Sequence, residues 1–136
     1  KAADIAQATD FITQKEEGFE TNIAQAGANV SGGQKQRLSI ARALVKGAPI
    51  VIFDDSFSAL DFKTDQRLRE ALHKELKNTT LLIVAQRVST IMNADQIIVL
   101  EEGKVVGQGT HQELLKSCPT YYEIASSQLS QEELAK

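Results

Sequence analysis

The chain has 136 residues, 42% of them hydrophobic and 24% charged, the balance of an ordinary globular domain. Its 15 Lys and Arg against 18 Asp and Glu give a formal net charge of −3, which argues against nucleic acid as a partner, because phosphate binding needs a basic surplus. One cysteine, Cys118, cannot close an internal disulfide, and the longest apolar runs are far too short to cross a bilayer, so composition points to a chain in a reducing, cytosolic compartment.

No basic-then-apolar signal segment opens the chain, and it starts at Lys1 rather than Met, which suggests sequence upstream. The first 30 residues hold two basic and five acidic side chains, and the remainder is balanced, so a boundary is expected near Val30. Short helices are expected over Ala2–Ala8 and Asp10–Gln14, then a loop from Gly18 to Val30. With few large apolar residues, this region is expected to pack as a satellite rather than to form a core.

Ser31 and Gln34 form an S-x-x-Q capping box. Leu38, Ala41, Leu44 and Val45 follow at helical spacing, and Gly47 and Pro49 end the helix. Ile50–Phe53 is apolar on both faces, as a buried parallel strand would be, and it ends in Asp54 and Asp55. A polar turn, Ser56 to Asp61, leads to a helix over Phe62–Lys77 with Asp61 as its cap. Thr79–Ala85 repeats the buried-strand pattern, and Gln86–Ser89 opens a short helix reaching Met92. Gln96–Leu100 and Lys104–Gly107 around Glu101-Glu102-Gly103 predict a hairpin. Thr110 and Glu113 form a second capping box, starting a helix through Lys116, and a last helix over Thr120–Gln128 precedes a polar tail. Strand–helix–strand alternation gives an α/β fold with a mainly parallel sheet.

Two places could carry chemistry. Ser31-Gly32-Gly33-Gln34 opens a helix, where glycine amides and the helix dipole suit an anion; it is equally a plain capping box with loop glycines. Asp54 and Asp55 stand at the C-terminal end of a strand, where open parallel sheets bind ligands and a carboxylate suits Mg²⁺ beside a phosphate; they could also be solvated loop aspartates. His73 suits a helix surface, His111 a structural role at a helix start, and Cys118 a free thiol.

Order and spacing join the two. Ser31-Gly32-Gly33-Gln34-Lys35-Gln36-Arg37, then Ala41–Leu44, Ile52-Phe53-Asp54 and Ser58-Ala59-Leu60-Asp61 resemble the nucleotide-binding domain of ABC ATPases. The first block is similar to the family's signature, with Val30 where Leu is usual. The strand with Asp54 is similar to Walker B, Ser58–Asp61 to the D-loop, and Ile83–Arg87 to the switch region. Gly103 and Gly109–Leu115 extend the resemblance, which is strongest to exporters.

The resemblance implies MgATP as the bound nucleotide, with Asp54 toward the metal. Ser31, Gly32, Gly33 and Gln34 would complete the site of a second nucleotide-binding domain, and Ser58 and Asp61 would lie in the D-loop between sites. It further implies a membrane-spanning domain in the same or a partner chain, and a place at the cytoplasmic face of the cell membrane. Residues 1–46 would end a helical subdomain, residues 47–128 would form the C-terminal part of an incomplete P-loop ATPase core, and residues 129–136 a flexible tail. No G-x-x-x-x-G-K-[ST] occurs in the sequence, so the phosphate-cradling strand, which the resemblance places between the Leu81–Ala85 and Gln96–Leu100 strands, is absent from it, and the 136 residues alone are expected neither to bind ATP tightly nor to fold cooperatively.

Two further departures from the family pattern bear on mechanism. Asp55 stands where Glu usually polarises the attacking water, and is one methylene shorter. Gln86 stands where His is usual, and its amide cannot take a positive charge. Together they resemble the degenerate site of heterodimeric exporters, one that mainly holds ATP. The other functions open to such a chain are a regulatory module that binds nucleotide without turnover, and a soluble ABC ATPase acting on DNA or ribosomes, which the charge balance disfavours.

Overall fold

The computed structural model describes residues 1–134, which fall into two compact units, divided between Val84 and Ala85. The expected boundary at 46/47 lies inside the first unit, as does the charge boundary near Val30.

The first unit contains α1 (Ala2–Ile5), α2 (Thr9–Thr13), two 3₁₀ turns (Gly18–Glu20 and Gln25–Gly27), α3 (Gly32–Val45), β1 (Ile50–Asp54), α4 (Phe62–Glu75) and β2 (Thr80–Val84). Helix α3 starts where the capping box places it. The Gln34 amide donates to Ser31 Oγ (3.2 Å), and the Ser31 amide to Gln34 Oε1 (3.0 Å). Gly47, at φ +61°, ends it. Strands β1 and β2 pair in parallel, from Ile50 opposite Thr80 to Asp54 opposite Val84.

Strand periodicity sends Val51 and Phe53 into a core with Ile40, Leu68 and Leu72. Burial of such side chains contributes about 1.5–3 kcal/mol each. The expectation that β1 is buried on both faces is corrected here: Ile50 and Ile52 are 61% and 62% exposed, because no layer of the unit covers that side of the sheet. The N-terminal segment is not a satellite either. Ile5, Phe11 and Ile12 join the same core, and fully buried Ala6 and Ala8 let the chain run close against it. Small residues and three large ones are enough, because α3 supplies the opposing surface. Asp65, in the first turn of α4, is buried and bonded to Arg69 (3.2 Å), with the helix dipole favouring its charge.

The second unit contains α5 (Val88–Ile91), β3 (Ile97–Glu101), β4 (Lys104–Gly109), α6 (His111–Ser117), α7 (Pro119–Gln128) and α8 (Gln131–Leu134). Strands β3 and β4 form the expected hairpin, antiparallel and separate from the β1–β2 sheet. Glu102 and Gly103 both have positive φ (49° and 76°), as a two-residue hairpin turn of the right twist requires. Thr110 and Glu113 close the second capping box. Val88, Ile97, Val99, Leu114, Cys118, Tyr121 and Ala125 form this unit's core. Gly107 is needed there, since a Cβ would stand 2.7 Å from Cys118 Sγ.

The last part of the chain, expected to be solvated, contains α8, which Ser130 and Glu133 cap reciprocally and whose Leu134 packs on the core; residues 135 and 136 lie outside the described ones. No helix among the described residues is long and apolar enough to cross a membrane.

Candidate functional site

The first unit assembles most of the expected site residues around the end of β1. Asp54 and Asp55 are exposed at that end, beyond the buried Phe53. Asp55 adopts φ +48°, a left-handed conformation that costs an L-residue roughly 1–2 kcal/mol and that aspartate tolerates better than most. It is held there from two sides. Its amide donates to the Val84 carbonyl (3.0 Å), extending the parallel ladder by one bond. Its carbonyl accepts from Ser58 Oγ (3.1 Å) and from Gln36 Nε2 (3.2 Å).

The loop beyond is anchored by buried Phe57 and Leu60, with the Phe57 ring edge-on to Phe53 at 5.5 Å. Ser58 lies on its exposed side. Asp61 closes the loop and caps α4: Oδ1 accepts from the Thr64 amide (3.0 Å) and Oδ2 from the Thr64 hydroxyl (2.7 Å). These bonds, the amide first, hold the Asp61 carboxyl below its ordinary pKa and keep it anionic. One residue thus serves as helix cap and as the end of the D-loop-like segment.

The Ser31–Gly33 turn meets this loop directly. A Cβ on Gly33 would stand 3.0 Å from the Ala59 carbonyl oxygen, so glycine allows the close approach of α3. Gln36, one turn further along, reaches the same loop: the Ala59 amide donates to its Oε1 (2.9 Å), and its Nε2 also contacts Ser58 Oγ (3.0 Å). Arg37 ties α3 to the N-terminal segment, with Nη1 donating to the Gln7 carbonyl (2.6 Å) and the guanidinium stacked over Phe11 at 4.7 Å. Burial lowers the Arg37 pKa, and the charges of Asp61 and Asp10 oppose that shift.

Ser31 and Gln34 are therefore the two partners of a capping box, as the simpler sequence reading has it. That arrangement does not use up the turn. The Ser31 hydroxyl accepts and still carries a proton to donate, and amides in the first turn of a helix lack partners within the helix.

Gln86 belongs to the second unit. Its side chain is exposed, and its carbonyl accepts from Gln128 Nε2 (2.9 Å), while Gln128 Oε1 accepts from the Val88 amide (2.8 Å). The α7 glutamine thus fixes the start of α5. His73 is exposed on α4, and Cys118 is a free, buried thiol. His111 is buried with Nδ1 2.7 Å from the Tyr121 hydroxyl, a structural pair. Among the described residues there is no group of three or more His, Cys, Asp or Glu side chains able to hold a metal unaided. Asp54 as one carboxylate fits Mg²⁺, which takes one or two protein carboxylates and completes its shell with phosphate oxygens and water.

A family model described as ABC transporter matches residues 2–58. An uncharacterized ABC transporter ATP-binding protein of Mycobacterium tuberculosis is 47% identical over 128 residues, 94% of this chain and 22% of the relative. The alpha-hemolysin translocation ATP-binding protein HlyB of Escherichia coli is 48% identical over 121 residues, 89% and 17%. The chain belongs to the ABC transporter family.

Within that family, the ATP-dependent lipid A-core flippase of Aliivibrio fischeri is 46% identical over 91% of this chain and 21% of its own length. A solved bacterial Atm1-family ABC exporter with ATP bound superposes with a TM-score of 0.90 at 38% identity, covering 96% of this chain and 23% of that one. The fold is thus that of part of an ABC exporter nucleotide-binding domain. This ABC transporter chain spans between 17% and 22% of the length of these curated relatives. Of the side chains that meet at the end of β1, the sequence singled out Asp55, Ser58 and Asp61 but not Gln36, which it offered only as part of the signature block. Its reach of 19 to 23 residues along the chain leaves no local pattern.

Proposed function

We propose that this chain is the C-terminal part of the ATP-binding domain of an ABC exporter, which binds and hydrolyses MgATP to drive transport. Residues 1–46 end its helical subdomain and residues 47–128 belong to its ATPase core. It works at the cytoplasmic face of the cell membrane, with a membrane-spanning domain and a second nucleotide-binding domain as partners. The observation that carries this reading is the junction in the first unit, where exposed carboxylates at the end of a parallel strand and the glycine-opened N-terminus of a 14-residue helix are joined through one loop.

Each group then has a task. Asp54 would hold Mg²⁺, whose contribution is to neutralise charge on the terminal phosphates. Asp55 would orient the attacking water as a hydrogen-bond acceptor, from a carboxylate one methylene shorter than the family's Glu. Gln86 would offer an amide N–H to the γ-phosphate, with no positive charge to stabilise it. This chain's own site is therefore slow and mainly holds ATP, and its partner is a different polypeptide with a competent site. The Ser31 hydroxyl and the Gly32 and Gly33 amides would donate across the interface to the γ-phosphate in the partner's site, where the α3 dipole favours negative charge.

In the full-length transporter, Asp55→Glu combined with Gln86→His should raise steady-state ATP turnover. Positioned acid–base groups are worth about 10²–10⁴-fold, so even partial restoration is measurable. An unchanged rate, with the partner site known to be active, would refute the degenerate-site reading.

A further inference from the structure

Gln36 spends both ends of its carboxamide on one loop. Oε1 accepts from the Ala59 amide at 2.9 Å, and Nε2 reaches the Asp55 carbonyl at 3.2 Å and Ser58 Oγ at 3.0 Å. Asp55 needs such a hold, because its left-handed backbone (φ +48°) relaxes unless the surroundings over-determine it. The Val84 carbonyl fixes the amide side of Asp55, and Gln36, with Ser58, fixes the carbonyl side. Gln36 projects from the second turn of α3, whose first turn is Ser31–Gly33 with its cap, and Gly33 touches the same loop at Ala59.

We propose that Gln36 is a positioning residue: it locks the backbone of Asp55 to α3, so that the carboxylate of this chain's own site and the turn offered to the partner's site move as one body. It acts through the direction it gives Asp55. The proposal rests on the reading of Asp55 as the group that orients the attacking water.

Two substitutions in the full-length transporter, read on a dimer whose other site is inactivated so that only this chain's own site turns over, separate the arms of the contact. Gln36→Met has similar length and no hydrogen bond. Gln36→Glu keeps an acceptor for the Ala59 amide but loses the donor to Asp55. Both should lower kcat for ATP by roughly 10- to 100-fold, the usual consequence of a small misplacement of a reacting group, with KM within about twofold of wild type. Hydrogen exchange at the Ala59 amide should accelerate in Gln36→Met and stay slow in Gln36→Glu.

A Gln36→Met enzyme with wild-type kcat overturns the proposal. So does recovery of kcat in Gln36→Glu, which would make the loop and not Asp55 the thing held. Should the wild-type protein hydrolyse no ATP, the proposed function falls, and Ala59 exchange alone decides the contact: faster in Gln36→Met it stands, unchanged it is overturned.

Discussion

The polar side chains around the end of β1 in the first unit and His111 in the second are placed in opposite ways. In residues 1–84 the polar groups around the end of β1 are exposed or half-buried, and their hydrogen bonds run to the backbone of a loop: Gln36 to Asp55 and Ala59, Asp61 to Thr64. In residues 85–134 the most distinctive polar group is sealed inside. His111 is 5% exposed, faces Tyr121 in a core of aliphatic residues, and leaves Nε2 without a hydrogen-bond partner. An exposed polar network can meet a ligand without first breaking the fold. A sealed pair can only hold helices together. Backbone strain differs as well: among the described non-glycine residues, positive φ falls at Gln7, Ala26 and Asp55 in the first unit and at Glu102, in the hairpin turn, in the second.

The largest test of this contrast is Asp54→Asn. The side chain is exposed, so thermal stability should change by no more than about 0.5 kcal/mol. On a dimer in which only this chain's own site turns over, ATP hydrolysis should drop by roughly 100-fold or more, the scale for losing one preorganised electrostatic contact. Retained turnover, or a loss explained by unfolding, would break the distinction between the units.

Ser31→Ala is a smaller test, because it mixes both kinds of role. Loss of the cap should destabilise α3 by about 1 kcal/mol. If Ser31 also serves the partner's site, hydrolysis there should fall by about tenfold or more, the worth of a hydrogen bond to a charged group. Ser31→Thr, which preserves both uses, should restore cap and rate together. Measured on a dimer with only the partner site active, an unchanged rate in Ser31→Ala leaves Ser31 as a cap alone.

The smallest effect belongs to the second unit. Burial lowers the His111 pKa below its usual 6.5, so the unfolded chain takes up a proton before the folded unit does. The stability contributed by neutral His111 is therefore complete above pH 6.5 and is lost as pH falls through the folded value. Hydrogen exchange across residues 85–134 should accelerate in that window. His111→Phe, which cannot titrate, should remove the pH dependence, and residues 1–84 should show none from this source.

What could be read from the sequence was what neighbours in the chain decide. Ser31 with Gln34, Thr110 with Glu113, and Asp61 with Thr64 close their bonds within three residues, so the starts of α3, α6 and α4 follow from spacing. Glycine and turn chemistry gave the hairpin in the same way, and the ordered motifs gave the family. The segments that need a distant surface were not legible. The burial of Ile5, Phe11 and Ile12 depends on α3 being there to receive them, and the one-sided burial of β1 depends on which layers cover the sheet. The left-handed Asp55 depends on Val84 and Gln36, 29 residues after it and 19 before. Local periodicity and capping act over one or two turns and are written in the sequence itself. Which faces meet, and which carboxylate is held in a strained backbone, are decided only when segments far apart in the chain pack together.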